Sequence, residues 1–173
     1  MKQFTFFAIA VAAIAGLVAF VVPSPGHADG ASAAPYVTEM PKGYRDWHWI
    51  SSTHETGDLN SIGGVLGNDI AFKAAKEGKL PYPDGSIIVA LHYKYVPSEE
   101  NNKVFGQEQS FVPGAPTNIQ FMVKDSKKYA ATGGWGFGHF MDGKPASADF
   151  MKPCFPCHQP AQATDLVYTR YAP

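Results

Sequence analysis

Cysteine is almost missing from this chain of 173 residues, which has only Cys154 and Cys157. That scarcity excludes a disulfide-stapled scaffold and an all-thiolate metal centre. Charge is sparse as well: 14 Lys and Arg stand against 15 Asp and Glu, a formal net charge of -1. Without a basic excess there is no electrostatic footprint for nucleic acid, and no nucleic-acid partner is expected. No internal repeat is present, so a repeat architecture is not expected either. Gly (17), Pro (14) and aromatic residues (13%) are plentiful. This composition favours strands joined by frequent turns over a helical bundle.

The chain opens with Met1-Lys2 and then runs from Phe6 to Val22 without a charged side chain, followed by Pro23-Ser24-Pro25-Gly26-His27-Ala28. An apolar run ending in a helix-breaking stretch with small residues reads as a secretory signal peptide, residues 1–28, cut after Ala28. An uncleaved anchor is the competing reading, because the run lies near the lower limit of a membrane span. Both readings export the rest, and the periplasm is the expected location. Residues 29–35 are small and polar and read as a flexible lead-in, leaving 36–173 as one domain.

Along that domain, residues 47–52 read as a first strand and Gly57 to Gly67 as a loop. Asn68 is a plausible N-cap for a helix from Asp69 to Lys79, with Ile70, Ala71, Ala74 and Ala75 on one face and Gly78 at the exit. After the turn Pro83-Asp84-Gly85, the odd positions Ile87, Val89, Leu91, Tyr93 and Tyr95 alternate as a half-buried strand should. The other face of that strand carries Ile88, Ala90, His92 and Lys94, a mix suited to solvent or a polar pocket. Pro97 to Lys103 reads as a polar connection and Val104 to Val112 as a further strand. Asn118 to Val123 and Trp135 to Phe140 read as two more, with a short helix or turn over 125–131 between them. The class is α+β and strand-rich, with a few short helices.

Near the end stands Cys154-Phe155-Pro156-Cys157-His158, the Cys-x-x-Cys-His pattern of c-type haem attachment. Two thiols at this spacing reach the two vinyl groups on one edge of a porphyrin, and the adjacent imidazole then supplies an axial nitrogen to iron. The expected cofactor is one covalent haem c, with Cys154 and Cys157 as attachment points and His158 as iron ligand. Three other readings of the pair compete. A zinc site would need two more ligands from His48, His54, His92 and His139, none of which are paired at ligand spacing. A thioredoxin-like dithiol belongs early in a βαβ unit, not near the C-terminus. The third is a plain disulfide. Export, two cysteines at this spacing and an immediate histidine together favour haem. For the sixth position, Met40, Met122, Met141, Met151, His92 and His139 are possible by type, but none has a marked context. The iron is therefore expected to be five-coordinate.

The chain resembles the cytochrome P-460 family, which includes the hydroxylamine-oxidising cytochromes P-460 and the gas-binding cytochromes c′-beta. The resemblance is carried by Pro41-Lys42-Gly43-Tyr44-Arg45-Asp46-Trp47, Asp84-Gly85-Ser86-Ile87-Ile88-Val89, Val123-Lys124-Asp125-Ser126, the haem motif, and Thr164-Asp165-Leu166-Val167-Tyr168-Thr169-Arg170-Tyr171. It implies an antiparallel sheet with a few helices around a high-spin haem with an open distal side, often in a homodimer. In the hydroxylamine-oxidising members a lysine after the Asp-Gly turn is cross-linked to the porphyrin, and that position here is Ala90. Lys94 shares the face, but at about 3.3 Å per residue it lies about 13 Å farther along. A distal acidic residue of those enzymes falls at Gln120, which cannot act as a general base near neutral pH.

Ala90 and Gln120 are thus the distal-side candidates, and both depart from the oxidising members. Phe72, Phe121 and Phe137 are of the type that caps the distal face in cytochromes c′-beta. Arg170 is a candidate partner for a haem propionate, with plain surface exposure as the alternative. The leading expectation is an exported mono-haem cytochrome that binds or processes NO or related small nitrogen oxides. The alternative is a hydroxylamine- or NO-oxidising oxidoreductase. The third is a simple electron carrier with a periplasmic partner.

Overall fold

The computed structural model describes residues 34–173. The targeting segment, its cut after Ala28 and most of the 29–35 lead-in lie outside the described residues.

Six strands follow one another in sequence and in space: β1 (His48–Glu55), β2 (Ser61–Gly67), β3 (Ile87–Pro97), β4 (Phe111–Lys124), β5 (Trp135–Met141) and β6 (Lys144–Pro145). Every neighbouring pair is antiparallel, so the sheet is a meander. Four short helices complete the α+β fold: α1 (Asp69–Glu77), α2 (Glu99–Phe105), α3 (Ala148–Met151) and α4 (Cys154–His158). Tyr36 forms a parallel bridge to Phe137 ahead of all of these.

The expected α1 is present with both of its signals. Asn68 Oδ1 accepts from Ala71 N at 3.0 Å, and Gly78 ends the helix in the left-handed region (φ 63°). The expected strand of alternating residues is β3, and its two faces serve two clusters. One cluster holds Val65, Ile88, Met122 and Phe137, covered by Ala71 and Ala74 of α1 and by Leu166 and Val167. The other holds Leu66, Val89, Phe121 and Phe140, covered by Met40, Tyr44 and Trp47. The even-numbered face of β3 is therefore turned toward the C-terminal segment at Ile88 and Ala90 and reaches solvent only at Lys94.

Two expectations are corrected. The segment 57–67, read as a loop, contains β2. Its glycines are strand positions whose missing side chains are occupied by neighbours: a Cβ on Gly64 would come within 2.7 Å of the Trp49 ring, and one on Gly67 within 2.6 Å of Ile50 Cδ1. The segment 104–112, read as a strand, begins in helix. Ser98 Oγ caps α2 by accepting from Asn101 N, and Gly106 closes it with φ 71°, so Val104 and Phe105 are helical and exposed. The strand starts only at Phe111 and continues straight through Pro113 and Pro116. Prolines fit because β5 pairs with β4 from Ile119 onward, leaving the proline half with an open edge, and because the register with β3 shifts there.

Candidate functional site

Ser147 starts α3 by accepting from Phe150 N at 3.2 Å, and Met151, buried at its end, pins the turn into α4. Cys154 and Cys157 are three apart on this single helical turn, so they share a side, and His158 follows at once. Both thiols are free. Cys154 is half-buried and Cys157 exposed. Burial, reinforced by the nearby Cys157, pushes the Cys154 thiol above its ordinary range.

His158 is held from the far side. Its Nδ1 lies 2.7 Å from the Leu166 carbonyl oxygen. A carbonyl only accepts, so Nδ1 carries the hydrogen and Nε2 keeps a free lone pair. Burial lowers the imidazole pKa below its usual value, partly offset by that carbonyl. A neutral imidazole with its second nitrogen fixed by a backbone carbonyl is the arrangement of a metal-ligating histidine. Phe137 and Tyr168 flank the ring at 5.2 and 5.3 Å between centroids, and Tyr168 OH donates to the Cys157 carbonyl at 2.6 Å.

Between α4 and the sheet lies a cavity of about 570 Å³, within the usual range for ligand and cofactor sites. One wall carries Phe150, Cys154, Cys157 and His158. The other carries Ile88, Ala90, Gln120, Met122, Phe137 and His139. A porphyrin requires an apolar slot, two thiols along one edge and a nitrogen with a free lone pair, and these residues fit it.

The sheet register brings Ala90 and Gln120 directly opposite one another across β3 and β4, and His139 opposite Gln120 across β4 and β5. The three form one row on the cavity wall. Gln120 Nε2 donates to Asn118 Oδ1 at 3.0 Å. Lys94 is exposed and does not border the cavity. Arg170 is exposed too; its guanidinium donates to the carbonyls of Val167 (3.1 Å) and Tyr168 (3.4 Å), beside a smaller cleft with Lys79 and Tyr82.

Of the methionines, Met122 borders the cavity, Met151 is buried at the end of α3, Met40 packs on the opposite face and Met141 is exposed. His139 borders the cavity, half-buried against Phe150, and its pKa is lowered by burial and by His92. His92 is buried with Nδ1 3.6 Å from Glu55. His48 pairs with Asp69 at 2.9 Å, and His54 lies tilted against Tyr95 with ring centroids 4.1 Å apart. Among the described residues no cluster of three or more His, Cys, Asp or Glu is placed to hold a metal ion by itself. Phe137 lies beside His158, Phe121 packs mainly into the opposite cluster against Tyr44 and Phe140, and Phe72 packs between His48 and Tyr171.

Sequence reasoning missed Phe150, Leu166 and Tyr168. The first is a lone aromatic four residues before Cys154 with no periodic signal. The others contribute through a backbone carbonyl and a phenol whose targets only folding supplies.

A family model described as cytochrome P-460 matches residues 41–169, which spans β1 through the segment after α4. No curated protein matches the chain.

Proposed function

The chain belongs to the cytochrome P-460 family, and from that premise we propose that it is a mono-haem c-type cytochrome that binds NO or a related small nitrogen oxide at five-coordinate iron. Family membership carries haem binding. In the proposal, Cys154 and Cys157 would form the two thioethers and His158 Nε2 would bind the iron. The haem, when bound, would supply an iron able to take up a small diatomic molecule. The observation that supports this most is that Cys154, Cys157 and His158 line one largely apolar cavity while the Leu166 carbonyl engages Nδ1 and leaves Nε2 free.

Ala90 and Gln120 steer the reading away from turnover. A methyl group cannot form the cross-link that the family resemblance associates with hydroxylamine oxidation, and a carboxamide cannot take up a proton near neutral pH. The second reading, oxidation of hydroxylamine or NO, is favoured by His139. Its imidazole borders the same row and is kept neutral by burial, which leaves it able to accept a proton. A third, electron transfer alone, draws on Met122 at the cavity wall as a sixth ligand. Export to the periplasm, a homodimer and a periplasmic redox partner belong to the same proposal.

The experiment is an absorption spectrum of the ferric and dithionite-reduced protein, made in a host that matures c-type haem. Ordinary high-spin c-type bands that shift on adding NO are expected. A six-coordinate low-spin spectrum without gas binding overturns the reading in favour of an electron carrier. A ferrous band displaced far to the red reveals a porphyrin cross-link and returns hydroxylamine oxidation to first place.

A further inference from the structure

We propose that the buried ion pair Lys124–Asp165 is a positioning pair for His158, holding the bend at Asp165 and Leu166 whose carbonyl fixes the imidazole and so setting the strength of its axial bond. The proposal rests on the reading of His158 as the iron ligand.

Lys124 closes β4 and is buried, with its main chain tied twice to the segment before β3: its N–H donates to Ser86 O and its carbonyl accepts from Gly85 N. Its ammonium has three hydrogens and three protein acceptors. These are Asp165 Oδ1 at 2.8 Å, Asp165 Oδ2 at 2.9 Å and Gly133 O at 3.0 Å. It also sits 4.9 Å from the centre of the Trp135 ring. On the other side, Asp165 Oδ2 accepts a further bond from Tyr82 N at 2.8 Å. The carboxylate therefore grips a strand end and a loop at once, across 41 residues of sequence.

Asp165 and Leu166 are consecutive non-glycine residues at φ 53° and 66°, a region that side chains populate sparingly. Such a bend persists only where its surroundings over-determine it. Here Leu166 N donates to Ala161 O at 2.9 Å, the Leu166 side chain packs against Gly133, and Asp165 is clamped by Lys124. The product of the bend is the direction of the Leu166 carbonyl, 2.7 Å from His158 Nδ1. One peptide unit separates the gripped carboxylate from the carbonyl that orients the ring.

The bond at Nδ1 governs how strongly Nε2 donates. A short, well-aligned acceptor draws on the N–H and makes the opposite nitrogen a better electron donor. A buried ion pair is a poor way to gain stability alone, since desolvation cancels most of its attraction. Fixing the conformation of one bend beside the proximal histidine is a role that repays that cost.

The test is resonance Raman spectroscopy and redox titration of the ferrous and ferric holoprotein, comparing wild type with Lys124→Met, Asp165→Asn and Ser98→Ala. Ser98 caps α2, none of whose residues borders the cavity, so its variant controls for lost stability. Lys124→Met is expected to lower the iron–histidine stretching frequency and raise the reduction potential. Asp165→Asn, which keeps side-chain volume and an acceptor for Tyr82, is expected to change both in the same sense by less. Ser98→Ala is expected to change neither. If Lys124→Met does not accumulate, Asp165→Asn carries the comparison. A wild-type spectrum that has the stretch, with variants that leave it and the potential unmoved, overturns the role of the pair. A wild-type spectrum with no histidine-bound five-coordinate iron overturns the reading of His158 beneath it, and is recognisable from the wild type alone.

Discussion

His92 is a single buried side chain whose titration reaches the whole fold. Burial lowers its pKa from the ordinary 6.5, and the Glu55 carboxylate offsets this in part. His139, the other titratable neighbour, is lowered for similar reasons. The unfolded chain therefore takes up protons near pH 6.5 while the folded protein resists until lower pH. Stability is full above that value and falls as pH drops through it toward the folded pKa, by at most about 1.4 kcal/mol per pH unit for each group. Denaturant midpoints taken between about pH 7.5 and 5 are expected to decline, and to decline less steeply in His92→Gln. An equal slope in wild type and variant assigns the dependence elsewhere. At the same scale, Cys154 and Cys157 are separable from His158. With Cys154→Ser and Cys157→Ser together, haem is expected to remain bound through His158 yet to be extracted by acidified organic solvent, whereas wild type retains it.

At the scale of the element, Asn68 joins two elements that the sequence lists separately. Its Oδ1 accepts from Ala71 N and from Ile87 N, and its Nδ2 donates to the Gly85 carbonyl. It thus caps α1 and also satisfies the first residue of β3. Asn68→Ala removes a cap worth about 1 kcal/mol and orphans a part-buried N–H at about 1–3 kcal/mol more. A lowered urea midpoint at unchanged slope checks this. Strand β2 makes the complementary case. A side chain on Gly67 collides with buried Ile50 and crowds the Phe72 backbone, so Gly67→Ala is expected to destabilise by about 1–3 kcal/mol through overpacking, measurable by the same titration. Capping explains why α1 was readable from its own residues, since Asn68 and Gly78 lie within one turn of its ends. For β2 the informative residues were elsewhere: its glycines resemble a loop until Trp49 and Ile50 are seen to fill their space. The helix α2 was hidden by apolar Val104 and Phe105, which resemble a strand start but are exposed.

Over the whole molecule, a meander sheet gives one face to an N-terminal cover and the other to α1, α4 and the C-terminal segment, and the cavity opens on that second face. What the sequence determined by itself was local chemistry. The spacing of Cys154, Cys157 and His158, the caps of α1 and the alternation along β3 are each written within a few neighbouring residues, where geometry follows from a helical turn or a pleat. Ala90 and Gln120 were also legible as departures from a family pattern, though as isolated positions. Only the tertiary structure decided that they face each other and that His139 joins their row, because that depends on the register of three strands. It also decided that the Leu166 carbonyl meets His158 and that Lys124 holds Asp165. Those contacts join segments up to 41 residues apart, and such pairings are fixed by packing and burial, which no local stretch of sequence encodes.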